Sequence, residues 1–112
     1  MDSADLTDHV RFSPEAPHRS AVFETERLFA QVMCLERNQS FGPASDPRAD
    51  AVITIVAGEA VFLVGRRRKR LRQWGAVLVP AGAELVITNA SADPLVVLML
   101  TAPPPVGAEA AG

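Results

Sequence analysis

Trp74-Gly75-Ala76-Val77-Leu78-Val79-Pro80-Ala81-Gly82-Ala83-Glu84-Leu85-Val86-Ile87-Thr88-Asn89 is the stretch on which the fold is decided. Ala76–Val79 is an apolar run of strand length, and Glu84–Thr88 is a second. Between them, Pro80 fixes its own φ and Gly82 tolerates a positive one, so the chain turns sharply there. Asn89 ends the second run with a side chain able to bond its own backbone at a turn. Two short strands, one tight turn and a polar stop make this a β segment with no helical period.

The same punctuation continues outward. Downstream, Asn89–Pro94 reads as a turn and Leu95–Thr101 as a closing strand. Upstream, Lys69–Trp74 reads as a strand in which Leu71 is flanked by Arg70 and Arg72, and Gly65 opens the turn before it. Ala60–Val64 and the β-branched run Ala51–Val56 are strands joined through Ala57-Gly58-Glu59. Asn38–Asp50, with Gly42, Pro43, Ser45, Asp46 and Pro47, has the chemistry of a loop. Leu28–Leu35 is apolar with Gln31 interrupting, as in a half-buried strand. Strands and turns thus recur roughly every eight to twelve residues, the spacing of an all-β sandwich or barrel. Residues 1–20 are polar and broken by Pro14 and Pro17, an arm expected to add at most a short edge strand. The domain is expected over 21–105, followed by a frayed tail over 106–112.

A chain of 112 residues supports one core. With 48% apolar residues that core is well supplied, and wholesale disorder is excluded. Burial at this size is incomplete, so a second copy is the expected partner. Cys34 is the only cysteine, which excludes an intrachain disulfide, and it reads as a small buried apolar residue. The acidic start lacks the basic and apolar parts of a signal peptide, and no apolar run approaches the ~20 residues of a membrane span. The expectation is a cytoplasmic protein with no membrane partner.

Ala49–Ala60 resembles the first cupin motif at its strand–glycine–strand end, and Trp74–Asn89 resembles the second. Pro80, Gly82 and Asn89 stand at the second motif's spacing, while Trp74 occupies the place of its usual opening glycine. The likeness runs over roughly residues 25 to 105. It implies an all-β, single-domain cupin-type β-barrel (jelly roll) with a short N-terminal arm, commonly dimeric. Near that arm, Val22, Phe23, Leu28 and Phe29 are the apolar residues available to an interface.

Cupins that carry a metal hold it with two histidines and a glutamate from the first motif and a histidine from the second. Counted from Gly58, the glutamate position falls on Ala51. The paired histidine positions fall on Ser45 and Pro47, or on Ala44 and Asp46 if the loop is one residue longer. The last histidine position falls on Leu85. No shift of register restores these ligands, because the last histidine of the chain is His18, in the arm with His9. No cofactor is expected. An oxygen-ligand cation site at Asp46, Asp50 or Glu84 is disfavoured, since strand alternation turns Asp50 and Glu84 away from the side of Ala51 and Leu85. The centre becomes apolar, its lining candidates being Met33, Leu35, Ala51, Ile53, Ile55, Leu85, Ile87, Val96 and Leu98. That interior is either packed solid or left as a pocket for a small apolar molecule.

Three functions follow. The favoured one is a non-catalytic cupin that binds a small molecule or serves as a structural, dimerising module. The alternative is a metal-independent enzyme of isomerase or epimerase type, which requires a titratable pair facing the pocket. Its catalytic residues are not identifiable, though Gln31, Cys34, Glu36 and Arg37 are within reach of the interior if their strand admits them. The third rests on Arg66-Arg67-Arg68-Lys69-Arg70-Leu71-Arg72, where basic residues concentrate. No aromatic side chain lies among these cations to stack on bases and the net charge is −2. Nucleic-acid binding is therefore disfavoured against a solvated hairpin guarding a sheet edge. Trp74, just beyond the run, is a candidate to cover a barrel end.

Overall fold

The computed structural model describes residues 1–105; the expected tail, 106–112, lies outside the described residues. A short 3-10 helix, Leu6–His9, precedes nine strands. These are β1 His18–Glu24, β2 Phe29–Leu35, β3 Ser40–Ala44, β4 Asp50–Ala57, β5 Glu59–Val64, β6 Arg67–Arg72, β7 Ala76–Val79, β8 Leu85–Thr88 and β9 Leu95–Ala102. All pairings are antiparallel. One sheet has the order β1-β2-β9-β4-β7 and the other β3-β8-β5-β6. The two sheets face one another as a jelly roll without closing into a full barrel, because β6 and β7 end their sheets unpaired with each other.

The core lies between the sheets. Met33 and Leu35 of β2, Ile53 and Ile55 of β4, and Leu95, Val97 and Met99 of β9 meet Ala60 and Phe62 of β5 and Leu85 and Ile87 of β8. These residues recur at every second position, as side chains on one face of a strand must. The turns that carry the chain from one sheet to the other, between β4 and β5 and between β7 and β8, use the residues expected of them. Gly58 and Gly82 have φ of 91° and 86°, the left-handed region open to glycine at little cost.

Two segments differ from expectation. Ser40–Ala44 is a strand rather than loop: it pairs with β8 as an edge strand, and its register shifts between Phe41 and Ala44, where Gly42 and Pro43 sit. Proline is tolerated in a sheet at such an edge or bulge. The arm is also more than a polar leader. Leu6 and Val10, with Val22 of β1, pack against Val32, Cys34 and Val96 on the outer face of the larger sheet. Gln39 Nε2 donates to the Ser13 carbonyl at 2.7 Å, and His9 Nδ1 lies 2.7 Å from Ser20 Oγ. The arm thus covers β2 from outside, which is why all seven residues of that strand are buried. No helix among the described residues is long and apolar enough to cross a membrane.

Candidate functional site

The inner face of the larger sheet carries its side chains in cross-strand rows. Phe29, Thr101, Ala51 and Val79 form one row at the end of the sandwich, and Gln31, Met99, Ile53 and Val77 form the next. Opposite them the smaller sheet places Phe41, Ala44 and Leu85. Between these walls lies a pocket of about 230 Å³, small beside the ~300–1,000 Å³ of drug-sized ligand sites. Arg19, Ser45, Asp46 and Pro105 also line it. The Arg19 guanidinium carbon sits 5.5 Å from the centre of the Phe41 ring, within cation–π range.

Gln31 and Thr101 are the buried polar residues on the pocket wall, and Gln31 is the one left unsatisfied. It is 5% exposed, and among the described residues its Oε1 has no hydrogen-bond partner. Its amide nitrogen meets only the Met99 sulfur, at 3.7 Å, a weak acceptor. A buried amide oxygen with nothing to accept from costs about 1–3 kcal/mol, and Gln31 lines the pocket. The polar interruption in an otherwise apolar strand was the signal for it.

The pocket-lining candidates divide. Ala51 and Leu85 line the pocket, as does Ser45. Met33, Leu35, Ile53, Ile55 and Ile87 are packed in the core, each fully excluded from solvent. Val96 and Leu98 belong to the opposite face, against Val32 and Cys34. The inward residues of β9 are Leu95, Val97 and Met99, one position out of register with the expectation. Sequence reasoning missed Phe29, Phe41, Met99 and Thr101 as lining residues. Phe29, expected near a dimer interface, is fully buried there and unavailable to a partner.

The metal-ligand positions offer hydrocarbon where coordination needs a lone pair. Ala51 and Leu85 stand on the pocket wall, Ser45 is exposed at its mouth, and Pro47 is exposed outside it. Among the described residues no three His, Cys, Asp or Glu side chains gather closely enough to hold a metal ion. The residues of this pocket therefore do not fit the transition-metal centre of metal-bearing cupins. Asp50 and Glu84 are exposed, and the Asp50 carboxylate accepts from the Ala81 backbone N–H at 2.8 Å.

The groups considered for acid–base chemistry are dispersed. Glu36 and Arg37 follow the end of β2 and do not line the pocket. Cys34 faces the outer cluster, fully buried, and burial raises its thiol pKa despite a backbone hydrogen bond from Arg11. The Arg66–Arg72 run forms the β5–β6 turn and edge strand β6, with every residue exposed but Leu71. Trp74, expected to cover a barrel end, is 75% exposed.

Solved structures carry this architecture throughout. A conserved protein with a double-stranded β-helix domain from Klebsiella pneumoniae superposes with TM-score 0.86 at 22% identity, over 92% of this chain and 90% of that one. An RmlC-like cupin from Desulfovibrio desulfuricans superposes with TM-score 0.82 at 20% identity, over 92% of this chain and 97% of that one. The sheet orders, the turn residues and these likenesses give the chain the cupin fold, a double-stranded β-helix. More narrowly, it belongs to one family with TT1209 from Thermus thermophilus, to which it is 32% identical over 94% of this chain and all of that one, with TM-score 0.90. No protein-family model and no curated protein matches the sequence.

Proposed function

We propose that the chain is a non-catalytic cupin that binds a small neutral molecule in the pocket between Phe29, Phe41, Ala51 and Leu85, independently of any metal. The observation that carries this reading is the unpartnered Gln31 Oε1 on the wall of an otherwise largely apolar pocket. A ligand with an apolar body and one N–H or O–H donor satisfies that oxygen and fills the pocket. Among the described residues the only ionisable side chains on its lining are Arg19 and Asp46, which supports binding over proton transfer at an inner acid–base pair.

Matched probes test it. Phenol and toluene share a ring, and only phenol carries a donor. Phenol is expected to raise the melting temperature and toluene to raise it less, with the preference reversed in Gln31→Leu. Indifference of the wild-type protein to both, or no change of preference in the variant, contradicts the reading.

The same proposal includes a homodimer and a cytoplasmic place of action. Leu78, Val52 and Leu100 form one cross-strand row on the outer face of the larger sheet, 64%, 40% and 37% exposed. A second copy laid on this row shields it, as the small size of the chain favours. A two-chain mass in light scattering at micromolar concentration, reduced to one chain by Leu78→Asp, is the expected result.

A further inference from the structure

The seam where the two sheets fail to close is itself lined for a ligand. β6 and β7 each end a sheet, and between them lies a cleft of about 720 Å³. Its floor is apolar: Phe62 and Val64 of β5, Leu71 of β6 and Val77 of β7. It is separate from the Gln31 pocket, whose walls share with it only Pro80 and Ala83 of the β7–β8 turn.

Two cations stand on this floor's side of the sheet. In the β5–β6 ladder Ala60 pairs with Leu71, Phe62 with Lys69, and Val64 with Arg67. Side chains directly opposite in a ladder share a face. Ala60, Phe62, Val64 and Leu71 face the core, so Lys69 and Arg67 are on the core face too, where the sheets diverge. Arg68, Arg70 and Arg72 alternate to the outer face, where Arg70 pairs with Glu59 at 3.6 Å, though Arg68 still borders the cleft at its rim. Among the described residues neither Arg67 nor Lys69 has an acidic partner within salt-bridge distance. Inward-pointing charge on an edge strand discourages further strand pairing. It also leaves two unpaired cations beside an apolar cleft, the complement of a molecule with a hydrocarbon body and one anionic end.

We propose that the β6–β7 cleft is a binding site for small amphiphilic carboxylates, the chain lying on Phe62, Val64, Leu71 and Val77 and the carboxylate held by Arg67 and Lys69. The site is independent of the Gln31 pocket and stands or falls apart from it.

Isothermal titration with decanoate, and with decanol as its neutral counterpart, tests the assignment. Decanoate is expected to bind one site per chain, with decanol weaker by roughly tenfold for want of the charge-assisted contacts. The double variant R67Q/K69Q weakens decanoate by a similar factor. The control R66Q/R72Q removes the same charge from positions outside the cleft and leaves affinity within about twofold if the contact is local. All four side chains are exposed, so both variants are expected to keep the wild-type melting temperature, and each is checked for it. Gln31→Leu leaves decanoate binding unchanged. Absence of decanoate binding, equal affinity for decanol, equal loss in the two double variants, or loss in Gln31→Leu overturns the proposal.

Discussion

The Asn89 side chain donates to the Leu35 carbonyl at 3.0 Å, tying the end of β8 to the end of β2 across the two sheets. The same amide nitrogen donates to the Asp93 carbonyl at 2.9 Å, and its oxygen accepts from the Ser91 N–H at 3.1 Å. Asn89 is fully buried. Asn89→Ala leaves several of these groups without partners, and each unsatisfied buried group costs about 1–3 kcal/mol. A loss of roughly 2–4 kcal/mol in chemical denaturation is expected, against less than about 1 kcal/mol for Ser91→Ala on the turn above it. Equal effects from the two substitutions contradict the role given to Asn89.

Gly58 and Gly82 separate two costs of adding a methyl group. Both have positive φ, but a Cβ on Gly58 meets the Pro94 carbonyl oxygen at 2.4 Å, whereas nothing lies within 4 Å at Gly82. Gly82→Ala is expected to cost the left-handed backbone alone, about 1–2 kcal/mol. Gly58→Ala adds a clash with backbone that cannot rotate away, about 1–3 kcal/mol more. Denaturant midpoints measured on the pair check the order.

Trp74 holds φ of 72° while its side chain is largely exposed. A bulky residue there carries the left-handed penalty of about 1–2 kcal/mol with little burial in return. Trp74→Gly is expected to leave the isolated chain as stable as before or up to about 1 kcal/mol more stable. Far-ultraviolet circular dichroism follows the unfolding, since the substitution removes the only tryptophan. A clear loss of stability shows that the indole makes a contact within the fold.

Cys34 links stability to alkaline pH. Desolvation raises its folded-state pKa, outweighing the Arg11 backbone hydrogen bond. The contribution is therefore complete below the ordinary thiol pKa of about 8.5 and is lost as pH rises through the raised folded value, because the unfolded thiol ionises first. Stability of the native chain is expected to fall over that window more steeply than that of Cys34→Ala. The native thiol resists disulfide reagents until the chain unfolds. Parallel pH profiles for the two proteins, or rapid labelling under native conditions, contradict this placement.

Most of the strand plan was legible because turn residues mark it: Gly58, Gly65, Pro80, Gly82 and Asn89 all punctuate strands of the structure. What failed to read was the facing of β9. Leu95–Leu100 is apolar at every position: on the outer face Val96 and Leu98 join the cluster with Leu6, Val10 and Val22, while Leu100 stays partly exposed. Without alternation the sequence holds no register, and Val96 and Leu98 were assigned to the wrong side. β3 escaped because its Gly42 and Pro43 carry loop chemistry while lying at a bulge on an edge. At the site, motif spacing pointed to Ala51 and Leu85, whereas Gln31 stood out only as a polar interruption of its strand, without a place on the pocket wall. Phe29, Phe41 and Thr101 were not, since their convergence depends on pairings between segments distant in sequence.

On this reading the pocket presents a Gln31 acceptor among largely apolar walls in place of a metal centre. Native mass spectrometry of untagged protein, purified without chelator, tests it most directly. Chains free of stoichiometric transition metal are expected, with any bound mass being a small organic molecule that is absent from Gln31→Leu. One transition-metal ion per chain, retained in Gln31→Leu, contradicts it.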